Sequence, residues 1–495
     1  MDASAEHTLP TISVDLRSAS FGDKRLNRRL SVIADAIAET PRASLPSIFP
    51  RDADLEGTYR FLRNPRVTLE RVLASHLEAT CERAQNEGSI LVLHDTTEFT
   101  FEGEMERQGL GPVQSGQGFF AHVALAVTAD SRRRPLGVLG VLPVIRKPKP
   151  KPKKATSAPK IAKKVSSHED YNRPDKESLR WPELALQVEA QVGGRAAIVH
   201  VMDREADDYA LLCALASPRR FVVRLKHNRV ISSDEPGVRG RKVQDALEKA
   251  AYRFERTVNL SARNNDGKAP KVRRLHPTRA ARVATLLGRA TQVTLVRPQD
   301  VPATFPAQLT LNVVHVQEVD APEGEKPVSW VLFTNEAVGT KEEIERVVDI
   351  YRARWVIEDY FMALKTGCAF EQRQLESKTT LLNFLGILAP IAWRLLLLRN
   401  LARDEPDAPG TDVLPPSQLE VLTAVSPRKL PANPTALDVF LAVASLGGHI
   451  KNNGAPGWRV LARGYERLLT LEQGWLIARA SLPASAPVNP RSAKR

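Results

Sequence analysis

Three acidic residues stand where a metal-dependent reaction on phosphates could use them. Asp95 follows the apolar run Ile90–Leu93, and Asp203 follows the apolar run Ile198–Met202. A strand holds its residues rigidly, and a side chain just beyond its end reaches solvent. Glu358 lies in a segment with helical periodicity, so we expect it on a helix facing the two strand ends.

Carboxylate oxygens are the ligands that Mg²⁺ prefers, and Mg²⁺ takes phosphate oxygens as further ligands. Two such ions about 3.5–4 Å apart can clamp the attacking and leaving oxygens of a phosphoryl displacement. We therefore predict that the carboxyl oxygens of Asp95, Asp203 and Glu358 converge within about 4–6 Å of a common point.

Each acidic residue also has an ordinary explanation. An aspartate after a strand is commonly a turn residue or a helix N-cap. In the segment DREADDY, Asp207 and Asp208 fit a solvated helix start that complements the helix dipole. Glu358 could form a surface pair with Arg354 at i,i+4, worth about 0.3–0.5 kcal/mol. A catalytic role is therefore indicated only by the three carboxylates taken together, and not by any one of them alone.

The segment YRARWVIEDYFMALKTG, residues 351–367, makes that set more specific. On a continuous helix at about 100° per residue, four of its polar side chains fall within roughly 60° of one another over about 20 Å. They are Tyr351, Arg354, Glu358 and Lys365. An adjacent apolar stripe would anchor this helix to a core, and it contains Ile350, Ile357, Phe361 and Leu364. In this arrangement the carboxylate can bind a metal ion while the neighbouring cations bind phosphates.

Composition supports a polyanionic partner. The formal net charge is +14, the pI is about 9.7 and aromatic residues make up 6% of the chain. Neutralising phosphates requires many Lys and Arg, whereas an acidic membrane surface is the alternative partner. The N-terminus shows no signal-peptide pattern, and three widely spaced cysteines favour a reducing compartment over disulfides or structural zinc. A cytoplasmic protein is expected.

The elements that must position these residues change character along the chain. Residues 22–85 have helical periodicity, and strand-like runs begin at residue 89. The basic, proline-rich segment 146–164 is typical of an extended, disordered excursion. Further β-like runs occupy 230–340, and the later apolar helix is expected to break at Pro390.

Several motifs together resemble one family. Tyr351, Arg354, Glu358 and Lys365 reproduce a Y-(2)-R-(3)-E-(6)-K signature. HDTTEFTF and VMDREADDY resemble the segments of the family's two catalytic aspartates, YRFLRNPRV its N-terminal end-binding region, and LGGHIKNNGAPGW its C-terminal region. On these motifs the chain is similar to the insertion-sequence-four family of bacterial DDE transposases.

The resemblance implies an α/β fold with an RNase H-like catalytic core, a β-rich insertion and flanking α-helical domains. It implies Mg²⁺-dependent cleavage of transposon ends through a hairpin intermediate, followed by strand transfer, with Mn²⁺ able to substitute. Double-stranded DNA at terminal inverted repeats and target DNA would be the partners, bound by a homodimer. Asp95, Asp203 and Glu358 would be the catalytic metal ligands.

The same resemblance assigns seven residues to DNA binding. Tyr351, Arg354 and Lys365 would grip terminal phosphates, and Trp330 would stack on a flipped base. The others are Trp355, Arg224 and Lys226. Without the resemblance, Trp330 fits a core residue of an alternating strand, and Arg224 and Lys226 fit the solvated side of an edge strand.

The sequence patterns and the family resemblance together predict the domains. They are an end-binding helical domain at 1–85, the first part of the catalytic core at 86–229, a β-rich insertion at 230–340, the second part of the core at 341–402, a linker at 403–416 and a C-terminal helical dimerisation region at 417–495. Two other functions remain open: an RNase H-fold endonuclease that cuts without joining, and a catalytically silent, sequence-specific DNA-binding protein.

Overall fold

The computed structural model describes most of the chain. The described residues are 15–16, 18–103, 106–147, 176–216, 218–232, 240–265, 267, 270–275, 277–450 and 454–481. The predicted disordered excursion lies outside them, apart from residues 146 and 147.

The chain divides into two compact units. The helical unit comprises Met1–His76, Phe101–Gly109 and Asp359–Arg495, and the sheet unit comprises Leu77–Thr100 and Leu110–Glu358. The predicted N-terminal and C-terminal helical regions therefore belong to one unit. The predicted insertion 230–340 belongs to the same unit as the strands that carry Asp95 and Asp203.

Fourteen α-helices occur among the described residues. In chain order they are α1 Lys24–Glu39, α2 Leu45–Ile48, α3 Asp52–Arg63, α4 Leu69–Glu87, α5 Arg180–Val192, α6 Tyr209–Leu215, α7 Val243–Lys249, α8 Pro270–Leu275, α9 Lys341–Arg352, α10 Trp355–Met362, α11 Lys378–Asp404, α12 Pro416–Val425, α13 Ala436–Leu446 and α14 Trp458–Ser481.

The helical unit is built around α11. This helix has 27 residues and continues through Pro390, so the predicted break there is wrong. It is long and apolar enough to cross a membrane by length and composition, but 89% of its most apolar window is buried inside the protein, as in a core helix. The predicted linker 403–416 is also partly core, since Val413 and Leu414 are fully buried.

The strands of the sheet unit form one ten-stranded mixed sheet. They are β1 Ser89–Phe101, β2 Gly111–Val113, β3 Gly116–Thr128, β4 Pro135–Val144, β5 Ala197–Met202, β6 Arg220–Arg224, β7 Tyr252–Leu260, β8 Arg282–Val296, β9 Gln308–Glu318 and β10 Ser329–Thr334. Their order is β2-β3-β1-β5-β6-β10-β9-β8-β7, with β4 also paired to β3.

The centre of this sheet is parallel and its flanks are antiparallel. β5 pairs in parallel with both β1 and β6, whereas β3–β4 and the pairs from β6 to β7 are antiparallel. The strands of the predicted insertion thus extend the central sheet through the β10–β6 pair. This mixed α/β architecture is compatible with an RNase H-like core.

Candidate active site

The parallel pair β1–β5 places Asp95 and Asp203 side by side. Their register runs from Ser89↔Ala197 to His94↔Met202, and each aspartate is the next residue. Neighbouring strands lie about 4.8 Å apart, so the two carboxylates leave the sheet from adjacent positions. Asp203 follows the end of β5, as predicted. The prediction that Asp95 lies beyond a strand end is wrong, because β1 continues through Asp95 to Phe101.

The third carboxylate comes from the helical segment after β10. Thr340 and Glu343 form a capping box at the start of α9, with the Thr340 hydroxyl accepting from the Glu343 N–H and the Glu343 carboxylate from the Thr340 N–H. The helix ends at Arg352, and α10 begins at Trp355. The predicted continuous helix over 351–367 is therefore wrong.

Across the break, the backbone forms i→i+3 hydrogen bonds at Arg354 and Ile357. This tight turn contains neither proline nor glycine, so the sequence carries no recognised signal for it. The predicted apolar stripe is nevertheless buried: Ile350, Ile357, Phe361 and Leu364 are each at most 5% exposed.

Arg354 lies between two of the carboxylates. Its Nη1 donates to Asp95 Oδ2 at 2.8 Å and to Glu358 Oε1 at 3.3 Å. Its side chain is 6% exposed, whereas that of Glu358 is 46% exposed. The predicted Arg354–Glu358 pair is thus present, but the arginine is buried and shared with Asp95.

The charges at this site are incompletely compensated. Burial, with smaller contributions from Glu358 and Asp203, raises the pKa of Asp95 to about 7 against the opposing effect of Arg354. Burial lowers the pKa of Arg354, but the negative charges of Asp95 and Asp203 outweigh this effect and leave it raised. Asp203 therefore belongs to the same electrostatic cluster, in which three carboxylates face one guanidinium.

The donor chemistry of this cluster fits a hard divalent cation. Closely placed carboxylates with too little positive charge are the setting in which Mg²⁺ binds. Among the described residues, however, no group of three or more Asp, Glu, His or Cys side chains is arranged to hold a metal ion. The Arg354 guanidinium stands between Asp95 and Glu358, so these carboxylates hold an arginine rather than an open ligand set.

Aromatic and basic residues surround the carboxylates. The Trp330 ring meets the Tyr351 ring edge to face, with centroids 5.4 Å apart. Tyr351 is buried, and burial, then Asp203, raise the pKa of its hydroxyl, whereas Arg224 lowers it. Trp355 is 58% exposed with the Arg354 guanidinium 4.8 Å from its ring centre.

The position of Arg224 differs from the edge-strand interpretation. It ends β6, which pairs with strands on both sides, and it is half-buried. Lys226 follows in an exposed loop. Both basic residues therefore project from the end of an interior strand.

Asp207 holds that loop and was misassigned by the sequence argument. Its side chain is fully buried, with Oδ2 accepting from the backbone N–H groups of Lys226 and His227 at 2.8 Å each. Its Oδ1 accepts from Arg229 Nε at 2.7 Å. Asp208 instead caps α6 by accepting from the Ala210 N–H, as expected for a helix start.

Arg180 is a second residue that the sequence argument missed. Its Nε donates to Thr96 Oγ1 at 3.1 Å, beside Asp95, and its Nη2 donates to Glu205 at 3.0 Å. Burial lowers its pKa against the opposing charges of Glu205 and Glu177. Its only sequence signal is a basic residue opening a helix, which is too common to be informative.

Three buried histidines lie behind the carboxylates on β1, β3 and β5. His94 Nε2 lies 2.9 Å from His200 Nδ1, and His200 Nε2 lies 3.2 Å from Glu189. His122 Nδ1 lies 2.9 Å from Thr96 Oγ1. Burial lowers the pKa of His94 and of His122 well below the usual value, so these two rings are neutral.

The helical unit carries the remaining predicted residue and a basic groove. Lys365 lies in a π-helical turn, Ala363–Gly367. A groove of about 760 Å³ separates α1 from α3. Its basic lining residues are Lys24, Arg25, Arg28, Arg29 and Arg60. Of these, Arg25 lies 3.4 Å from Asp23, Arg29 lies 3.7 Å from Asp54 and Arg60 lies 3.4 Å from Glu56. Lys24 and Arg28 remain, so the groove retains net positive charge.

Comparison with known families concerns this region of the chain. Residues 12–67 match the model of a transposase DNA-binding family. The match includes both walls of the basic groove. It supports the interpretation of the protein as a transposase with DNA as its partner.

Proposed function

We propose that the protein is a cut-and-paste DDE transposase of the insertion-sequence-four family, similar to the transposon-five transposase. It would cleave the ends of its element through a hairpin intermediate and join the freed 3′-hydroxyls to target DNA. The observation that carries the proposal is the meeting of Asp95, Asp203 and Glu358 around Arg354 in a chain with a transposase DNA-binding region.

Asp95, Asp203 and Glu358 are the residues that would hold Mg²⁺, or Mn²⁺ in its place. When bound, the metal would activate the attacking oxygen and stabilise the leaving oxygen. Glu358 is half-exposed and bonded to Arg354 at 3.3 Å, so its carboxylate is the one free to turn away. Asp95 and Asp203 each follow directly on the last residue of the β1–β5 pairing and provide the rigid part of the site.

Arg354 exchanges partners in this proposal. In the free protein it neutralises Asp95 and Glu358, and in the DNA complex its guanidinium would contact a terminal phosphate. Tyr351 and Lys365 would also contact terminal phosphates. Because Arg354 is buried beside the carboxylates, the phosphate that it binds would lie within reach of the reaction.

Trp330 provides a surface for an unpaired base. Its ring is half-buried and braced edge to face by Tyr351, so little side-chain freedom is lost when a base stacks on it. Base–aromatic stacking is worth about 1–3 kcal/mol per base. Trp355 is more exposed and would contact DNA near the end, and Arg224 and Lys226 would hold the adjacent backbone.

The groove between α1 and α3 would bind the phosphates of the terminal inverted repeat. A homodimer assembled on two ends would bring both active sites to the target, and the enzyme would act in the bacterial cytoplasm on nucleoid DNA.

A strand-transfer reaction with end DNA and Mg²⁺ tests the proposal. The end sequence would be taken from short inverted repeats flanking the reading frame. The wild type should yield cleaved ends and joined products, and Asp203→Asn should yield neither. Asp208→Asn is the matched control, because it removes a carboxylate five residues away while Asn still caps α6.

Three other outcomes would contradict the proposal. Cleaved ends without joined product would identify an endonuclease. Specific binding without cleavage, unchanged by Asp203→Asn, would identify a catalytically silent DNA-binding protein. Equal losses in Asp203→Asn and Asp208→Asn would show that the defect is not specific to the carboxylate cluster.

A further inference from the structure

The C-terminal helix α14 carries an exposed row of arginines that the proposed catalytic reaction does not use. The arginine row comprises Arg459, Arg463 and Arg467, spaced four residues apart and all exposed. At 1.5 Å per residue the row spans about 12 Å along one side of the helix. None of the three forms an ion pair with another described residue.

The opposite face of α14 fixes the direction of the row. Leu461, Ala462 and Leu468 are buried, and the helix packs on α12, α13 and α1. At Gly464 the helices α13 and α14 approach so closely that a Cβ would overlap the carbonyl group of Val443. The three guanidinium groups are therefore presented to solvent by a firmly packed helix.

A fourth arginine adds to the positive charge. Arg42 follows α1 and donates from Nη1 to the carbonyl of Thr366. Burial lowers its pKa, and Arg459 and Arg463 lower it further, so the cations lie close together. Glu466 is the neighbouring carboxylate, and burial raises its pKa despite Arg42 and Arg463.

Such a cluster is unfavourable without an anionic partner. Like charges at i,i+4 destabilise a helix, and the row contains two such pairs. A duplex carries one phosphate per about 3.4 Å on each strand, so about 12 Å of helix faces three to four phosphates of one strand. Arginine also pairs well with phosphate oxygens through two parallel hydrogen bonds.

We propose that the arginine row, together with Arg42, is a second DNA-binding surface that contacts the phosphate backbone of duplex DNA independently of sequence. It differs from the groove between α1 and α3, to which it contributes no residue. The inference rests on the proposed function, because it supposes that the protein acts on DNA. An end-bound transposase needs a further surface for a second stretch of duplex, and the row supplies that charge.

The salt dependence of DNA binding tests this proposal. Full-length protein is titrated into a labelled short duplex of random sequence at several salt concentrations. Each phosphate contact contributes about 0.9 to the slope of log K against log salt, so Arg459→Gln/Arg463→Gln/Arg467→Gln should reduce the slope by about 2.7. The corresponding triple Lys variant keeps the charges and should retain most of the slope.

A matched control removes the same charge elsewhere. Arg253, Arg273 and Arg274 are exposed in the sheet unit, and their triple Gln variant should leave the slope unchanged. A second measurement uses the wild type alone: DNA should protect Arg459, Arg463 and Arg467 from phenylglyoxal modification, as detected by peptide mass spectrometry. This measurement decides the question even if the triple variant does not fold.

The proposal is overturned if the Gln variant keeps the wild-type slope, if the control loses as much, or if DNA leaves all three arginines reactive. Loss of self-association with an unchanged slope would instead assign the row to an acidic face of a second copy. If the wild type performs strand transfer but the triple Gln variant keeps the wild-type slope, this inference fails and the proposed function stands. If the row variant loses slope while the wild type performs no chemistry, the proposed catalysis fails and the surface stands.

Discussion

Asp207, which is buried, and Asp95, which is half-buried, show how differently the same residue type can be held in the sheet unit. Asp207 accepts three hydrogen bonds on its two carboxyl oxygens, from Lys226, His227 and Arg229, at 2.7–2.8 Å. Arg229 also donates to the carbonyl of Asp207 at 2.6 Å. Its charge is fully paired within the protein.

Asp95 has too few positive partners. It accepts from the Thr96 N–H and from Arg354, but Arg354 is shared with Glu358, and Asp203 adds further negative charge. The result is a pKa raised to about 7, mainly by burial. A saturated aspartate stabilises a loop, whereas an unsaturated cluster keeps the capacity to bind a cation, and strongly perturbed pKa values mark functional sites for this reason.

The largest expected effect separates the two aspartates by activity. Asp95→Asn should reduce single-turnover cleavage by about 10³-fold or more, because it removes a proposed metal ligand. Asp207→Asn should reduce it far less, since its effect passes through the loop that carries Lys226. Similar losses in the two variants, measured at saturating DNA, would remove the distinction.

The stability of the folded protein should depend strongly on Asp207, although its expected effect on cleavage is the smaller one. Asp207→Ala leaves Arg229 buried without its partner, which should lower the free energy of unfolding by about 3–5 kcal/mol. Urea denaturation followed by circular dichroism measures this change. Asp208→Ala, which removes a helix cap, is the comparison and should lower it by about 1 kcal/mol.

The pH dependence of stability tests the raised pKa of Asp95. In the unfolded chain the carboxyl titrates near its usual value of 3.8, and in the folded protein near 7. Between these values the folded state binds more protons than the unfolded state, so stability should fall as pH rises from about 4 to 7. The loss should amount to about 2–4 kcal/mol in metal-free buffer.

Asp95→Asn provides the control for this measurement. Its unfolding free energy should fall less than that of the wild type over the same pH range, while Asp207→Asn should keep the wild-type difference. A wild type whose pH profile matches that of Asp95→Asn would show that burial does not perturb this carboxyl.

The smallest expected effect on stability concerns Glu358, the half-exposed partner of Arg354. Glu358→Gln should change the free energy of unfolding by about 0.5 kcal/mol or less, because an i,i+4 pair with an exposed member contributes little. Cleavage should nevertheless be lost. A stability change of several kcal/mol in urea denaturation would mean that Glu358 is mainly structural.

Local patterns predicted much of the sheet unit. The apolar runs before Asp95 and Asp203 are strands, as predicted. This feature depends on residues close in the chain, where hydrophobic periodicity acts. The helix break at Arg354 was not predicted, because the segment contains no proline or glycine. The Arg354 guanidinium is bonded to Asp95, which lies 259 positions away in the chain.

The interpretation of Asp207 as a solvated helix-start residue and of Arg224 as an edge-strand residue failed for a related reason. Asp207 fits a solvated helix start until the loop 19 to 22 residues later folds onto its carboxylate. Arg224 fits an edge strand until β10 pairs beside it, more than 100 residues later. Neither partner is visible in a local window.

The sequence by itself determined which residues can do chemistry: three carboxylates, the tyrosine, arginine and lysine spaced around Glu358, and a strongly basic chain. Tertiary structure alone decided that β1 and β5 are parallel and in a register that sets Asp95 beside Asp203. It also decided that Arg354 turns inward between Asp95 and Glu358. The physical reason is that residue types fix charge and local propensity, whereas burial and charge compensation depend on distant segments that only the folded chain brings together.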